Sequence, residues 1–182
     1  LGGMTVNRTL LEQKLAELPL FQYEFIDPQE LTFSERIRQV CRQECPMYNT
    51  TWACPPAVGS VEQCRARCLA YPHALMMTSV TEERDIADMA ETLATRGPHE
   101  ALTRQVRDLL HQCGAAETYV LSTEACAICE HCAYPDAPCR HPEHMFPCVE
   151  SPGIVVTDIA ERYGIDFLSG NLVVWFSLLF YR

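Results

Sequence analysis

The order of elements along this chain predicts an α+β fold, with a single small sheet of about four strands, packed helices and two irregular loops rich in cysteine. Two observations lead to this prediction. Short runs of β-branched and aromatic residues alternate with longer segments whose apolar residues recur at helical spacing. Two proline-rich stretches interrupt that alternation, and together they hold eight of the eleven cysteines.

The predicted strands are the segments richest in β-branched and aromatic residues, which suit a pleated and half-buried surface. One of them, residues 74–80, is a continuous apolar run, which is typical of a strand buried on both faces. The last segment is longer, but its aromatic residues favour a strand over a helix. The full set is residues 20–26, 74–80, 118–122 and 172–181.

The predicted helices begin at residues that cap backbone N–H groups and end at Gly or Pro. They cover residues 8–18, 35–40, 60–70, 82–94, 99–113 and 157–163. The two proline-rich stretches, residues 41–59 and 124–148, are predicted to be irregular. We expect these two loops to meet at one edge of the sheet.

Size and charge limit the classes of function. The chain has 182 residues, so we expect one domain, which covers residues 4–182. We expect residues 1–3, before Met4, to be a tag remnant. The 14 Lys and Arg are outnumbered by 24 Asp and Glu and form no basic tract, which excludes nucleic acid and an anionic membrane surface as partners. No signal peptide is visible, so we expect a reducing cytoplasm, where cysteines persist as metal thiolates.

The second loop carries the most specific pattern in the chain. Its cysteines follow C-x2-C-x2-C spacing, with a fourth seven positions later: Cys126, Cys129, Cys132 and Cys139. Such a run lets one short loop bind several irons of a single cluster, so we expect [4Fe-4S] ligation. Zinc is the alternative, although zinc sites more often place two pairs far apart. We expect the cluster's negative charge to be offset by neighbouring Arg140, His131 and His141, and the alternative for Arg140 is a surface ion pair with Asp136 or Glu143. His141 and His144 are weaker ligand candidates.

The first loop holds three cysteines, Cys41, Cys45 and Cys54, in a less diagnostic spacing. Three ligands leave one iron of a cubane open to a substrate, so a fourth ligand decides between an electron carrier and a catalyst. Cys148 is the first choice for that ligand, ahead of Cys64, Cys68 and Cys113, which fit packing better. Crossed ligation between the loops and a buried core role for all three cysteines also stay open.

At these residues the chain resembles a known family of predicted metal-binding proteins, domain of unknown function 2284. The segments that carry the resemblance are CRQECPMYNTTWACPPAVG, residues 41–59, and CAICEHCAYPDAPCRHPEHMFPCVESPGIVV, residues 126–156. The resemblance implies a small cytoplasmic iron–sulfur protein of anaerobic prokaryotes, without implying a reaction. The pattern comprises seven cysteines: Cys41, Cys45, Cys54, Cys126, Cys129, Cys132 and Cys139. Cys148 stands outside that pattern, which supports three ligands in the first loop.

Three functions compete at this point. The first is a carrier with one or two [4Fe-4S] clusters, whose acidic surface would dock on a basic patch of a redox partner protein. The second is an enzyme that binds substrate at an open iron, with Glu44 and Glu150 as candidate proton carriers. The third is a zinc-stapled interaction module. The sequence contains no nucleotide-binding glycine motif, P-loop or nucleophile elbow, and whether the chain is an enzyme stays open.

Overall fold

A computed structural model describes residues 5–124, 126–168 and 170–182 of the chain. Its strands are β1 (Gln22–Ile26), β2 (His73–Glu82), β3 (Thr118–Leu121) and β4 (Leu172–Tyr181). They form one antiparallel sheet in the order β1-β2-β4-β3. With the helices packed on this sheet, the predicted α+β class is confirmed.

The helices are capped largely by the side chains that the sequence offers. They are α1 (Arg8–Leu15), α2 (Glu35–Glu44), α3 (Val61–Leu69), α4 (Met89–Ala94), α5 (Arg96–Gln112) and α6 (Val156–Tyr163), with a 3-10 turn at Pro28–Glu30. Ser60 forms a reciprocal capping box with Gln63 at the start of α3. Gly164 ends α6 in the left-handed conformation, which glycine adopts without steric cost.

The two central strands are buried on both faces, which explains their continuous apolar sequence. Leu75 of β2 lies opposite Leu179 of β4, and both contribute to a core covered by α1 and α5. The neighbouring pair, Met76 and Leu178, points to the other face, where α3 and α6 close a second core. Each strand therefore supplies side chains alternately to two separate cores.

Four predicted boundaries are wrong. The first helix ends at Leu15 rather than at residue 18, and α5 begins at Arg96 rather than at residue 99. Residues 82–94 are not one helix, because β2 continues to Glu82 to complete its ten-residue pairing with β4, and α4 begins only after the Asp88 cap. Cys41 is not in irregular chain, because α2 runs on to Glu44. In the last two cases, pairing or helix continuation overrides the local sequence signal.

Both cysteine-rich loops meet beside the end of β3, an edge strand of the sheet. Ser122 follows β3 directly and forms a parallel bridge with Cys148 of the second loop. The Cys148 N–H in turn donates to the Ala53 carbonyl of the first loop at 3.2 Å. This is the meeting at a sheet edge that the order of elements predicts. Across the described part of the chain, no helix combines the length and the apolar character needed to cross a membrane.

Candidate metal centre

The end of α2 positions the first two cysteines. Cys41 lies in the last turn of the helix, and Cys45 forms its C-cap by donating its N–H to the Cys41 carbonyl at 3.2 Å. Arg38, one turn earlier, donates to the carbonyls of Gly59 at 2.7 Å and Ser151 at 2.6 Å. These two bonds fix the helix end against the first loop and against the chain that follows Cys148.

A first cavity, with a volume of about 240 Å3, brings together all three cysteines of the first loop. Cys148 of the second loop lines the same cavity, so four thiols share it. Three carboxylates, those of Glu44, Glu124 and Glu150, also line it. Glu124 is the one that sequence reasoning missed, because nothing in its spacing marks it.

A second cavity gathers the four cysteines of the second loop, Cys126, Cys129, Cys132 and Cys139. It is narrow, about 20 Å3 in volume, so a cluster would have to widen this loop as it binds. Such coupling between metal binding and the final fold is common in metalloproteins. Arg140 and His141 line this cavity as well, whereas His144 does not.

Backbone N–H groups of the second loop point at two of its sulfurs. The Tyr134 N–H donates to the Cys132 sulfur at 3.5 Å, and the His141 N–H donates to the Cys139 sulfur at 3.4 Å. Hydrogen bonds of this kind stabilise thiolates and raise the potential of a bound cluster. Arg140 forms no ion pair with the described carboxylates; it donates to the His131 carbonyl at 2.8 Å. Its position and charge are consistent with the offset of negative charge expected from the sequence.

Two aromatic side chains join the loops. The Trp52 indole N–H donates to the Ala137 carbonyl at 3.0 Å, and its ring packs edge-on against Tyr134, with centroids 4.9 Å apart. The Tyr134 hydroxyl donates to the side-chain oxygen of Asn49 at 2.6 Å. Trp52 also lines the second cavity. These three contacts, which we call the aromatic clasp, link residues 49–52 to residues 134–137.

Burial disfavours the ionised form of several of these thiols. Loss of water raises the pKa of Cys41, Cys54 and Cys126, and it raises the pKa of Cys148 strongly. Charge repulsion from Cys45, Glu124 and Cys132, in decreasing order, adds to the rise in the pKa of Cys54. The two cavities are adjacent, because Ala53 lines the second and Cys54 lines the first.

A buried hydroxyl lies beside the first cavity. Thr51 is 5% exposed, and its Oγ1 has no well-aligned hydrogen-bond partner among the described residues. It lies in the same turn as Cys54, whose N–H donates to the Thr51 carbonyl at 3.4 Å. An orphaned buried hydroxyl is costly unless a partner arrives, and a metal-bound thiolate at Cys54 would supply one.

The donor chemistry fits a metal group. All eleven cysteines are free thiols, so no disulfide competes for them. The three outside the cavities are buried, as the packing interpretation predicts: Cys64, Cys68 and Cys113. Within the described residues, no three Cys, His, Asp or Glu side chains converge closely enough to hold a single metal ion.

The protein has an α+β fold, and at one edge of its sheet two adjacent cavities are lined by eight thiols. These features define a cysteine-rich protein of the metal-binding class. The chain belongs to the family described as predicted metal-binding protein (DUF2284), whose model matches residues 24–181. Searches of curated proteins and of solved structures returned no match.

Proposed function

We propose that this protein binds two [4Fe-4S] clusters and transfers electrons between them and a partner protein. The observation that carries the proposal is the division of eight thiols into two cavities of four. Four thiolates are the usual ligand set of a [4Fe-4S] cluster. The sulfur ligands of such a cluster stand farther apart than those of a single ion, which is compatible with the spread of these side chains.

Each cavity would hold one cluster through its own four cysteines. The second would use Cys126, Cys129, Cys132 and Cys139, and the first would use Cys41, Cys45, Cys54 and Cys148. When bound, the clusters supply one-electron chemistry at potentials that the surroundings set. The protein's own part is to neutralise charge with Arg38 and Arg140 and to donate hydrogen bonds from Thr51 and the two loop N–H groups.

Closeness of the two cavities supports electron transfer. Ala53 lines the second cavity and the adjoining Cys54 lines the first, so the two proposed sites are near neighbours. Cys45 is exposed, which gives the first site a route to the surface. The net charge of −10 suits docking on a basic patch of a redox partner.

An enzyme with an open iron is the second candidate, and the shape of the first cavity favours it. That cavity offers about 240 Å3 and three carboxylates beside its cysteines. If Cys148 stays unbound, the fourth iron would face this space, and Glu44, Glu124 or Glu150 would carry protons to a bound substrate. The number of sulfur ligands in this cavity separates the two candidates.

Anaerobic reconstitution, followed by iron and acid-labile sulfide analysis, tests the proposal. Two clusters give about eight irons and about eight sulfides per chain. Stoichiometric zinc without sulfide would refute both iron candidates and favour a zinc-stapled module.

Cys148→Ala then distinguishes carrier from enzyme, with Cys113→Ala as the matched control because Cys113 is a buried thiol outside both cavities. The carrier predicts that C148A loses up to about four irons while C113A keeps all of them. Full iron retention in C148A, with an absorption spectrum that shifts when a small thiol is added, would support the open-iron enzyme instead.

A further inference from the structure

A third cavity, with a volume of about 800 Å3, lies on the outer side of the second loop. Its floor is β3, where Thr118, Tyr119 and Val120 lie at the edge of the sheet. Helices α3 and α5 contribute Arg67 and Arg107 to its sides. The volume falls in the range of small-molecule binding sites, and neither metal cavity approaches it in size.

This large cavity shares a wall with the second metal cavity. Trp52, Cys139 and Met145 line both spaces. A molecule in the large cavity would therefore be separated from the four-cysteine site by a single layer of side chains. One member of that layer, Cys139, is itself a proposed cluster ligand.

Flat apolar surfaces dominate the lining. The second loop supplies four prolines, at positions 135, 138, 142 and 147, and the ring of Phe146. The first loop adds Trp52 and Val58. Rigid rings of this kind stack well against the face of a planar aromatic molecule, because little conformational freedom is lost on contact.

One cation at this cavity has no carboxylate partner among the described residues. Arg107 pairs with Asp108 at 3.2 Å and donates to the Glu143 carbonyl at 3.1 Å. Arg67, in contrast, forms no ion pair within the described chain. Its guanidinium donates to the Val58 carbonyl at 3.5 Å and to the Tyr119 hydroxyl, both of which are uncharged acceptors. The Arg67 guanidinium lies 5.8 Å from the centre of the Tyr119 ring. It is exposed and keeps most of its N–H donors available for an anion.

We infer that the large cavity binds a small aromatic molecule that carries a carboxylate, with its ring against the proline and tryptophan wall and its carboxylate at Arg67. The molecule would lie beside Cys139, at the wall that the large cavity shares with the second metal cavity, and its binding does not depend on the proposed clusters. The carboxylates of Asp136 and Glu143 also line the cavity and repel an anion. The ligand's carboxylate must therefore contact Arg67 directly to be bound.

The test uses 2-naphthoate as the probe, with its neutral analogue 2-naphthalenemethanol, and measures binding to the reconstituted protein by isothermal titration calorimetry. Arg67→Gln is the test variant, and Arg65→Gln is the matched control, because Arg65 is exposed on the same helix and does not line the cavity. Loss of a charged hydrogen bond predicts about tenfold weaker binding of naphthoate to R67Q. We expect R65Q to bind as the unaltered protein does, and Arg67→Lys to recover part of the loss.

The neutral analogue supplies the decisive comparison. Its affinity should be the same for R67Q and for the unaltered protein. Absence of saturable naphthoate binding at millimolar concentration, or an equal loss in R65Q and R67Q, would overturn the inference. Iron analysis of the same samples separates the two proposals. Full iron content without probe binding refutes the ligand site alone, and probe binding without iron refutes the clusters alone.

Discussion

A buried histidine should make the stability of this protein fall in mild acid. His99 of α5 is 2% exposed and contacts three hydroxyls. Its Nδ1 lies 2.6 Å from Ser79 Oγ and its Nε2 lies 2.7 Å from Ser177 Oγ, with Thr103 Oγ1 at 3.5 Å. None of these three groups is charged, so none of them compensates an imidazolium. Burial lowers the pKa of His99 from 6.5 to about 4, with a smaller opposing effect from the Phe176 carbonyl.

The sign of the effect follows from that depressed pKa. Between pH 6.5 and about 4 the unfolded chain binds a proton at His99 that the folded chain does not. The contribution of neutral His99 to the free energy of unfolding is therefore complete above pH 6.5 and decreases as the pH falls. At about 1.4 kcal/mol for each pH unit, the loss amounts to about 3 kcal/mol by pH 4.

The assay is urea denaturation at several pH values between 4 and 7, followed by the fluorescence of the buried Trp175 on β4. His99→Gln keeps a side chain that donates and accepts hydrogen bonds but does not titrate. The free energy of unfolding of H99Q, compared with that of the unaltered protein, should therefore change by about 3 kcal/mol over this pH range. Loss of metal in acid affects both proteins and cancels in the difference.

Thr103→Val is the control, because it removes a hydroxyl of the same network and keeps the imidazole. It should lower stability without abolishing the pH dependence. If the difference between H99Q and the unaltered protein stays constant from pH 7 to pH 4, the assignment of the acid sensitivity to His99 is wrong.

Two further substitutions test the framework of the metal centre. Gly153→Ala should lower the free energy of unfolding by about 2 kcal/mol or more, because φ of Gly153 is +86° and a Cβ would lie 2.9 Å from the Ser34 carbonyl oxygen. Gly97→Ala is the control, because a Cβ at Gly97 in α5 meets nothing within 4 Å. In the same urea assay this substitution should be neutral or stabilising. Trp52→Phe removes the hydrogen bond to Ala137, worth about 1 kcal/mol. A chelator should therefore extract the metal of the proposed second site about fivefold faster, and an unchanged rate would show that the aromatic clasp does not hold the second loop.

Local sequence signals were sufficient for the sheet and for the grouping of most cysteines. β4 matches its predicted bounds because its ten consecutive residues are mostly apolar or aromatic, a composition that favours a buried strand. The four cysteines of the second loop line one cavity because their short spacing keeps them together in any compact loop.

Long-range contacts explain what the sequence could not show. Cys148 is the first choice for the fourth ligand from the sequence, but the contacts that bring it into the first cavity, a bridge to Ser122 and a hydrogen bond to Ala53, are encoded by no local pattern. The same limit applies to Thr51, whose importance lies only in its position beside Cys54. The large cavity beside β3 was missed for a similar reason, because its lining comes from segments far apart in the chain.

The shortness of β3 explains why the two cysteine-lined cavities lie where they do. Its four residues pair only with the last four of β4, Leu178–Tyr181, so the outer side of β4 before that point is not covered by a strand. The chain leaves the sheet at Ser122, whose Oγ accepts a hydrogen bond from Ser177 of β4 at 3.2 Å and so extends the His99 network to the start of the second loop. A longer β3 would draw residues 122–126 into the ladder and pull Glu124 and Cys126 away from their cavities. The early end of the edge strand thus lets one rigid sheet position both loops, and the same edge forms the floor of the large cavity.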